Sequence, residues 1–137
     1  MAAVCNHQLN YTSLVTPGVV PPLLGSFQFD TLNTVSFVLA PPIPNTAQQI
    51  NVTVTISCGC AKDTSPFTVW LWTELENGRQ DVKFKQGMRY PQNAYSSDSE
   101  TFSFAYSSNY PRLFLKSDYN KNSDNMWMSL FVVGYAQ

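Results

Sequence analysis

The chain has 137 residues, of which 44% are hydrophobic, 14% aromatic and only 12% charged, and its formal net charge is −1. This length and apolar content suit one domain with one core, and the lack of a basic excess argues against direct binding of nucleic acid. Every uncharged stretch is interrupted by polar residues or proline before it reaches the ~20 apolar residues of a transmembrane helix. We therefore predict neither a nucleic-acid partner nor a membrane partner.

Charge is distributed unevenly along the chain. Asp30 is the one charged residue between Met1 and Ala61, whereas all 8 Lys and Arg residues follow that segment. Surfaces that face water normally carry mixed charges, and the N-terminal part is broken too often by proline to be a core element. We therefore predict an extended N-terminal arm at residues 1–25, which lies against a partner protein. A single β-sandwich domain is predicted at residues 26–137.

Beyond the arm, the sequence predicts strands almost throughout. The segment Ile50–Cys58 alternates strictly between apolar and polar residues, which is typical of a half-buried antiparallel strand. Asn77-Gly78, between two alternating segments, is a strong hairpin signal. The strand pattern predicts an all-β antiparallel sandwich or barrel, with about eight strands and at most a turn or two of helix. The predicted strands are Ser26–Phe29, Val35–Leu39, Ile50–Cys58, Phe67–Glu74, Asp81–Gln86, Glu100–Tyr106, Arg112–Lys116 and Met126–Tyr135. The side chains expected in the core are those of Ile50, Val52, Val54 and Ile56.

The predicted strand Phe67–Glu74 is apolar on both faces. Alternation places Trp70 and Trp72 on one face and the apolar residues between them on the other. Exposed aromatic rings can stack on sugars, and large rings are also enriched in cores and subunit interfaces. Trp70 and Trp72 are therefore candidates for either a ligand site or a protein interface.

The residues that could carry catalysis are scattered. His7, the one histidine, lies beside Cys5 in the predicted arm, where no rigid cradle for a nucleophile and its base is expected. Glu74 and Glu76 are the one pair of acids on a common strand face, and we expect them to face solvent. The sequence thus predicts no active site and no enzyme, and we expect the three cysteines to be free thiols.

The basic residues cluster in one part of the chain. Lys83, Lys85 and Arg89 are spaced at short intervals in and after one predicted strand, with Arg79 nearby. We interpret this cluster as the solvated face of that strand.

The segment from Asp118 to Asp124 offers side-chain oxygens at alternate positions. Asp118, Asn120, Asn122 and Asp124 resemble the first half of a calcium-binding EF-hand loop. Ser129 stands where that loop has its bidentate glutamate, and strands rather than helices flank the segment. The alternatives are a weak calcium site completed by another loop or subunit, and an Asx-rich turn without metal.

The strands, the Thr/Val alternation of Ile50–Cys58 and the uncharged, proline-rich arm together resemble the β-sandwich structural proteins of small icosahedral viruses. Jelly-roll shell subunits and surface-protruding domains belong to this group, so the resemblance implies an antiparallel β-sandwich that is jelly-roll-like. The resemblance implies self-assembly with copies of the same chain or with other capsid proteins, and sometimes calcium at subunit boundaries. It further implies location in the virion, and in the host cytoplasm during assembly. Many such coats bind their genome through a basic arm, which residues 1–61 lack.

The preferred hypothesis is therefore a non-enzymatic structural subunit of a viral particle, as a capsid, minor capsid or surface-decorating protein. It would assemble through the uncharged arm and through aromatic surfaces. The alternative hypothesis is a carbohydrate-binding β-sandwich module, or a receptor-binding domain that recognises a host glycan through exposed Trp and Tyr side chains.

Overall fold

The computed structural model describes residues 10–15, 17–18, 22–28, 34–59, 65–89, 95–118 and 125–137. These residues form nine strands and one turn of 3-10 helix at Glu76–Gly78. Among them, no helix is long and apolar enough to span a membrane. The strands are β1 (Tyr11–Ser13), β2 (Leu23–Gln28), β3 (Val35–Val38), β4 (Gln49–Gly59), β5 (Ser65–Glu74), β6 (Gln80–Arg89), β7 (Tyr95–Ala105), β8 (Arg112–Ser117) and β9 (Asn125–Ala136).

All strand pairs are antiparallel and belong to two sheets. The five-stranded sheet has the order β7-β4-β9, and both β1 and β2 pair with the far side of β9. The four-stranded sheet has the order β3-β8-β5-β6. The predicted all-β sandwich is confirmed, and the eight predicted strands correspond to β2 through β9.

The pairing of β2 with β9, β3 with β8, β4 with β7 and β5 with β6 is nested. The chain from β2 to β9 is therefore one long antiparallel ribbon whose tip is the β5–β6 hairpin. Rolling this ribbon adds the pairs β4–β9 and β5–β8 and produces two facing sheets. This arrangement is that of a jelly roll.

The core lies between the two sheets and follows from strict alternation along the central strands. On β4, the predicted inward residues are all buried, and their polar neighbours face outward. Strands β9, β5 and β8 supply the opposing residues in the same way, since successive side chains of a strand point to opposite faces. The fully buried core side chains include Ile50, Val52, Val54, Val69, Leu71, Phe104, Leu113, Leu115, Met128, Leu130 and Val132.

The tip of the ribbon is the tight turn between β5 and β6. Asn77 and Gly78 both have positive φ, 62° and 71°, which explains why Asn and Gly occupy these positions. The amide N–H of Leu75 donates to the carbonyl of Arg79 at 2.8 Å and closes the turn. The hairpin predicted from Asn77-Gly78 is confirmed.

The N-terminal segment contributes strands to the sandwich of its own chain. Tyr11–Ser13, within the predicted arm, pair with the end of β9. The ring of Tyr11 packs on Gly134, where an added Cβ would collide with the tyrosine ring and its oxygen. The predicted domain boundary at residue 25 falls inside β2. Contact of residues 1–25 with a partner protein stays a prediction.

An ion-pair cluster closes the side of the sandwich where β6 faces β7. Lys85 is only 4% exposed, and its Nζ lies 2.7 Å from Asp98 Oδ2 and 3.5 Å from Glu100 Oε2. The prediction of a solvated basic face was wrong for Lys85. Because β6 is an edge strand, its inward-facing positions meet the acidic edge of the opposite sheet rather than the apolar centre. Inward-facing charges of this kind also discourage edge-to-edge aggregation.

Candidate functional site

The candidate site lies on the outer face of the four-stranded sheet. Because Phe67, Val69 and Leu71 are buried in the core, alternation directs Trp70 and Trp72 outward. The two tryptophans therefore share one face of β5, as predicted, and β5 lies between β8 and β6.

Strand register places further aromatic and apolar residues beside the tryptophans. Trp70 lies between Phe84 of β6 and Lys116 of β8, and Trp72 lies between Val82 of β6 and Phe114 of β8. We call the group formed by Trp70, Trp72, Val82, Phe84 and Phe114 the aromatic face.

The members of the aromatic face differ in exposure. The rings of Trp72 and Phe114 are stacked, with centroids 5.5 Å apart and planes inclined by 11°, so Trp72 lies half-buried against the sheet. Its indole Nε1 is buried and has no acceptor among the described residues. Phe84 and Trp70 are 64% and 37% exposed. Trp70 and Phe84 are therefore the rings that a ligand can reach.

A shallow depression opens beside these rings. It has a volume of about 370 Å³ and is lined by Trp70, Trp72, Gln80, Val82 and Lys116. The Gln80 amide both donates and accepts hydrogen bonds, whereas the Lys116 ammonium only donates. The depression thus combines a flat apolar surface with polar groups at its margin.

Polar side chains border the aromatic face at the β8 end. Asp118 Oδ1 accepts a hydrogen bond of 2.6 Å from the Thr68 amide, which joins the end of β8 to β5. Of the four predicted calcium ligands, Asn120, Asn122 and Asp124 lie outside the described residues. The described part of the chain contains no cluster of three potential metal ligands. The calcium site stays a prediction.

Of the two acidic residues considered for catalysis, Glu76 has an evident structural contact. The Glu76 carboxylate accepts hydrogen bonds from the Ser107 hydroxyl and from Asn109 Nδ2, the latter at 3.1 Å. The Ser107 bond is the main cause of a lowered Glu76 pKa, followed by a bond from the backbone of Glu76 itself and by the Asn109 bond. Glu76 thereby joins the β5–β6 turn to the β7–β8 connection. Cys5, His7 and Cys60 lie outside the described residues, as does the side chain of Cys58.

The tyrosines predicted as possible ligand contacts lie away from the aromatic face where they are described. Tyr106 is 5% exposed and belongs to the core, and burial raises the pKa of its hydroxyl. Tyr110 is 40% exposed in the connection between β7 and β8. Neither lines the depression.

The sequence pattern did not mark five residues of the site, namely Gln80, Val82, Phe84, Phe114 and Lys116. A signal for the β6 residues was available, because a tight turn at Asn77-Gly78 sets the register between β5 and β6. That register brings Phe84 opposite Trp70. No local signal existed for Phe114 and Lys116, since β8 meets β5 only through long-range pairing.

Comparisons with known proteins establish no family for this chain. No protein-family model matches it, and no curated protein matches it. Seven chains among the solved structures match. One of them, described as "CBM4 structure and function", aligns over 82% of this chain and 78% of its own, with 8% identity and a TM-score of 0.33. An identity this low concerns the fold alone, and a TM-score this low carries no argument about function. The chain is an all-β sandwich of two antiparallel sheets, and its resemblance to viral coat proteins stays a prediction.

Proposed function

We propose that this protein is a carbohydrate-binding module that holds a glycan on the aromatic face. The observation that carries the proposal is the exposed indole of Trp70 in a depression that also contains Gln80 and Lys116. The apolar C–H face of a sugar ring can stack on the indole, while its hydroxyls bond the amide and the ammonium. No catalytic step is required.

The exposure of the aromatic face supports a ligand. Burial of a large apolar side chain stabilises a protein by roughly 1.5–3 kcal/mol. Phe84 lacks most of this stabilisation because it is 64% exposed, and Trp70, which is 37% exposed, lacks part of it. Monomeric proteins rarely leave large contiguous apolar patches without a function. Stacking on a sugar would cover both rings without a change in the sandwich.

The shape of the depression supports an extended glycan. Its volume of about 370 Å³ falls within the range of ligand sites, roughly 300–1,000 Å³. The depression is open rather than enclosed, because its floor consists of side chains from neighbouring strands of one sheet. A sugar unit could therefore bind there while neighbouring units extend over Phe84.

The test is binding to a glycan array, followed by calorimetry with the best glycan. Trp70→Ala should weaken binding at least tenfold, which is about 1.4 kcal/mol. Trp127→Ala is the matched control, because Trp127 is also exposed, at 49%, but belongs to the five-stranded sheet. Equal losses in the two variants, or no glycan bound by the parent chain, would refute the proposal.

A second candidate function is that of a structural subunit of a viral particle, with copies of itself or other capsid proteins as partners. The observation that favours it is the side of the sandwich formed by β2 and β3, whose sequences contain no charged residue. An apolar cleft of about 290 Å³ opens there, lined by Gly25, Ser26, Val35 and Phe37. Uncharged edge strands are ready sites for pairing with another chain.

The subunit hypothesis is tested by light scattering after size-exclusion chromatography. If β3 pairs between chains, Val38→Lys should reduce assembly, since Val38 is 49% exposed on that edge strand. Gln86→Lys, on the exposed side of β6, is the control and should assemble as the parent does. A parent chain that stays monomeric at all concentrations would exclude this candidate.

A further inference from the structure

Lys116 occupies a position that can select the charge of a bound ligand. It lies on β8 directly across from Trp70, and its side chain is exposed because Leu115 and Ser117 on either side are buried. It is the one charged residue among those that line the depression. Any ligand stacked on Trp70 would therefore lie beside an ammonium group.

Among the described residues, the Lys116 ammonium has neither an acidic partner nor an aromatic one. The ion pairs of this part of the chain involve Lys83 and Lys85 instead. Asp118, the nearest acid in sequence, directly follows β8, and its Oδ1 accepts a hydrogen bond of 2.6 Å from the Thr68 amide N–H. The ammonium is thus available to a ligand.

Two acids border this face, Asp118 two residues from Lys116 and Glu74 across from Gln80, and Lys116 is the charged residue directly across from Trp70. Glu74 is four residues along β5, which is about 13 Å at the rise of an extended strand. Arg112 is four residues from Lys116 on β8 and donates to the Ser36 hydroxyl at 3.1 Å. The outward residues of β6 between Gln80 and Gln86 are uncharged. By strand register, Lys116 is therefore the charged group directly beside Trp70.

We propose that the ligand of the aromatic face is an anionic glycan, whose carboxylate or sulfate pairs with Lys116 while a sugar ring stacks on Trp70. This inference rests on the proposed carbohydrate-binding function and specifies its substrate class. An ammonium has three donors and no acceptor, so it complements an anionic oxygen better than a hydroxyl.

The experiment compares three probes by calorimetry on the full chain at low salt: lactose, 3′-sialyllactose and 3′-sulfolactose. We expect one anionic probe, at least, to bind about tenfold more tightly than lactose, and the preference to shrink at 1 M salt. A preference for the sialylated probe identifies a carboxylate ligand, and one for the sulfated probe identifies a sulfate ligand.

The variants separate this inference from the proposed function. Lys116→Gln should abolish the anionic preference and leave Trp70-dependent stacking. Lys83→Gln is the control, since Lys83 pairs with Asp81 at 3.1 Å, and it should keep the preference. Trp70-dependent binding that is equal for lactose and the anionic probes would overturn this inference alone. Failure of every probe and of a broad glycan array would overturn both proposals.

Discussion

The two outer faces of the sandwich use the same strand geometry for different surfaces. The five-stranded sheet presents a hydroxyl face, formed by Ser and Thr side chains that bond one another across the strands. Thr53 and Thr101 are 2.7 Å apart, as are Thr55 and Ser99, while Ser57 and Ser97 are 3.1 Å apart. The four-stranded sheet presents the aromatic face, where apolar rings remain exposed.

This contrast indicates which face is the better candidate for binding a ligand. On the hydroxyl face, each of these pairs satisfies polar groups within the chain, and cross-strand Thr and Ser pairs stabilise a sheet. On the aromatic face, by contrast, part of the Trp70 ring and most of the Phe84 ring remain exposed to solvent. The hydroxyl pairs are satisfied as folded, whereas the rings of Trp70 and Phe84 become buried only when something covers them.

The largest expected effect contrasts the inside and the outside of β5. Leu71 is fully buried between the outward tryptophans, so Leu71→Ala should lower the free energy of unfolding by about 3 kcal/mol. Trp70→Ala should cost less stability than Leu71→Ala, because Trp70 is 37% exposed, and it should weaken glycan binding. Denaturant unfolding measures both changes. Equal destabilisation by the two variants would mean that Trp70 serves the fold rather than a ligand.

A smaller effect is expected on the hydroxyl face. Thr53→Val breaks the hydroxyl pair with Thr101 and should cost roughly 0.5–1 kcal/mol of unfolding free energy. The double variant Thr53→Val/Thr101→Val should recover part of that loss, because no unpaired hydroxyl remains at the pair. Additive losses in a double-mutant cycle would contradict the claim that this face satisfies itself. Glycan binding should be unchanged in Thr53→Val, in Thr101→Val and in the double variant.

The smallest expected effect is a loss of stability at low pH, caused by the ion pair between Lys85 of β6 and Asp98 of β7. The hydrogen bond from Lys85, followed by its positive charge, lowers the Asp98 pKa in the folded protein. A lowered folded-state pKa contributes stability that is present above the unfolded pKa and is lost as pH falls. The melting temperature should therefore decrease below about pH 4.

Lys85→Met tests the origin of this dependence. It should flatten the decrease only in part, because the Glu76 pKa is lowered as well and Glu76 titrates in the same direction. An unchanged pH profile in Lys85→Met would show that the Lys85–Asp98 pair contributes nothing measurable. Neither outer face should influence this profile.

Much of the candidate site could be predicted only in outline. The period of two along β5 placed Trp70 and Trp72 together, but it could not decide whether a second layer covered them. Lys116 and Phe114 join the site through the pairing of β5 with β8, across more than 40 residues of sequence. Strand β1 was missed because Tyr11–Ser13 are too short and too exposed to show an apolar pattern.

The local features of this protein follow from its sequence alone. Alternating apolar residues specified the strands and the buried face of β4, and Asn77-Gly78 specified the hairpin at the tip of the ribbon, because both signals act between near neighbours. Only the tertiary structure decided which strands became neighbours, so that Lys85 was buried against Asp98 and Lys116 was left beside Trp70. The physical reason is that period-two alternation defines two faces of a strand, whereas rolling the ribbon decides what each face meets.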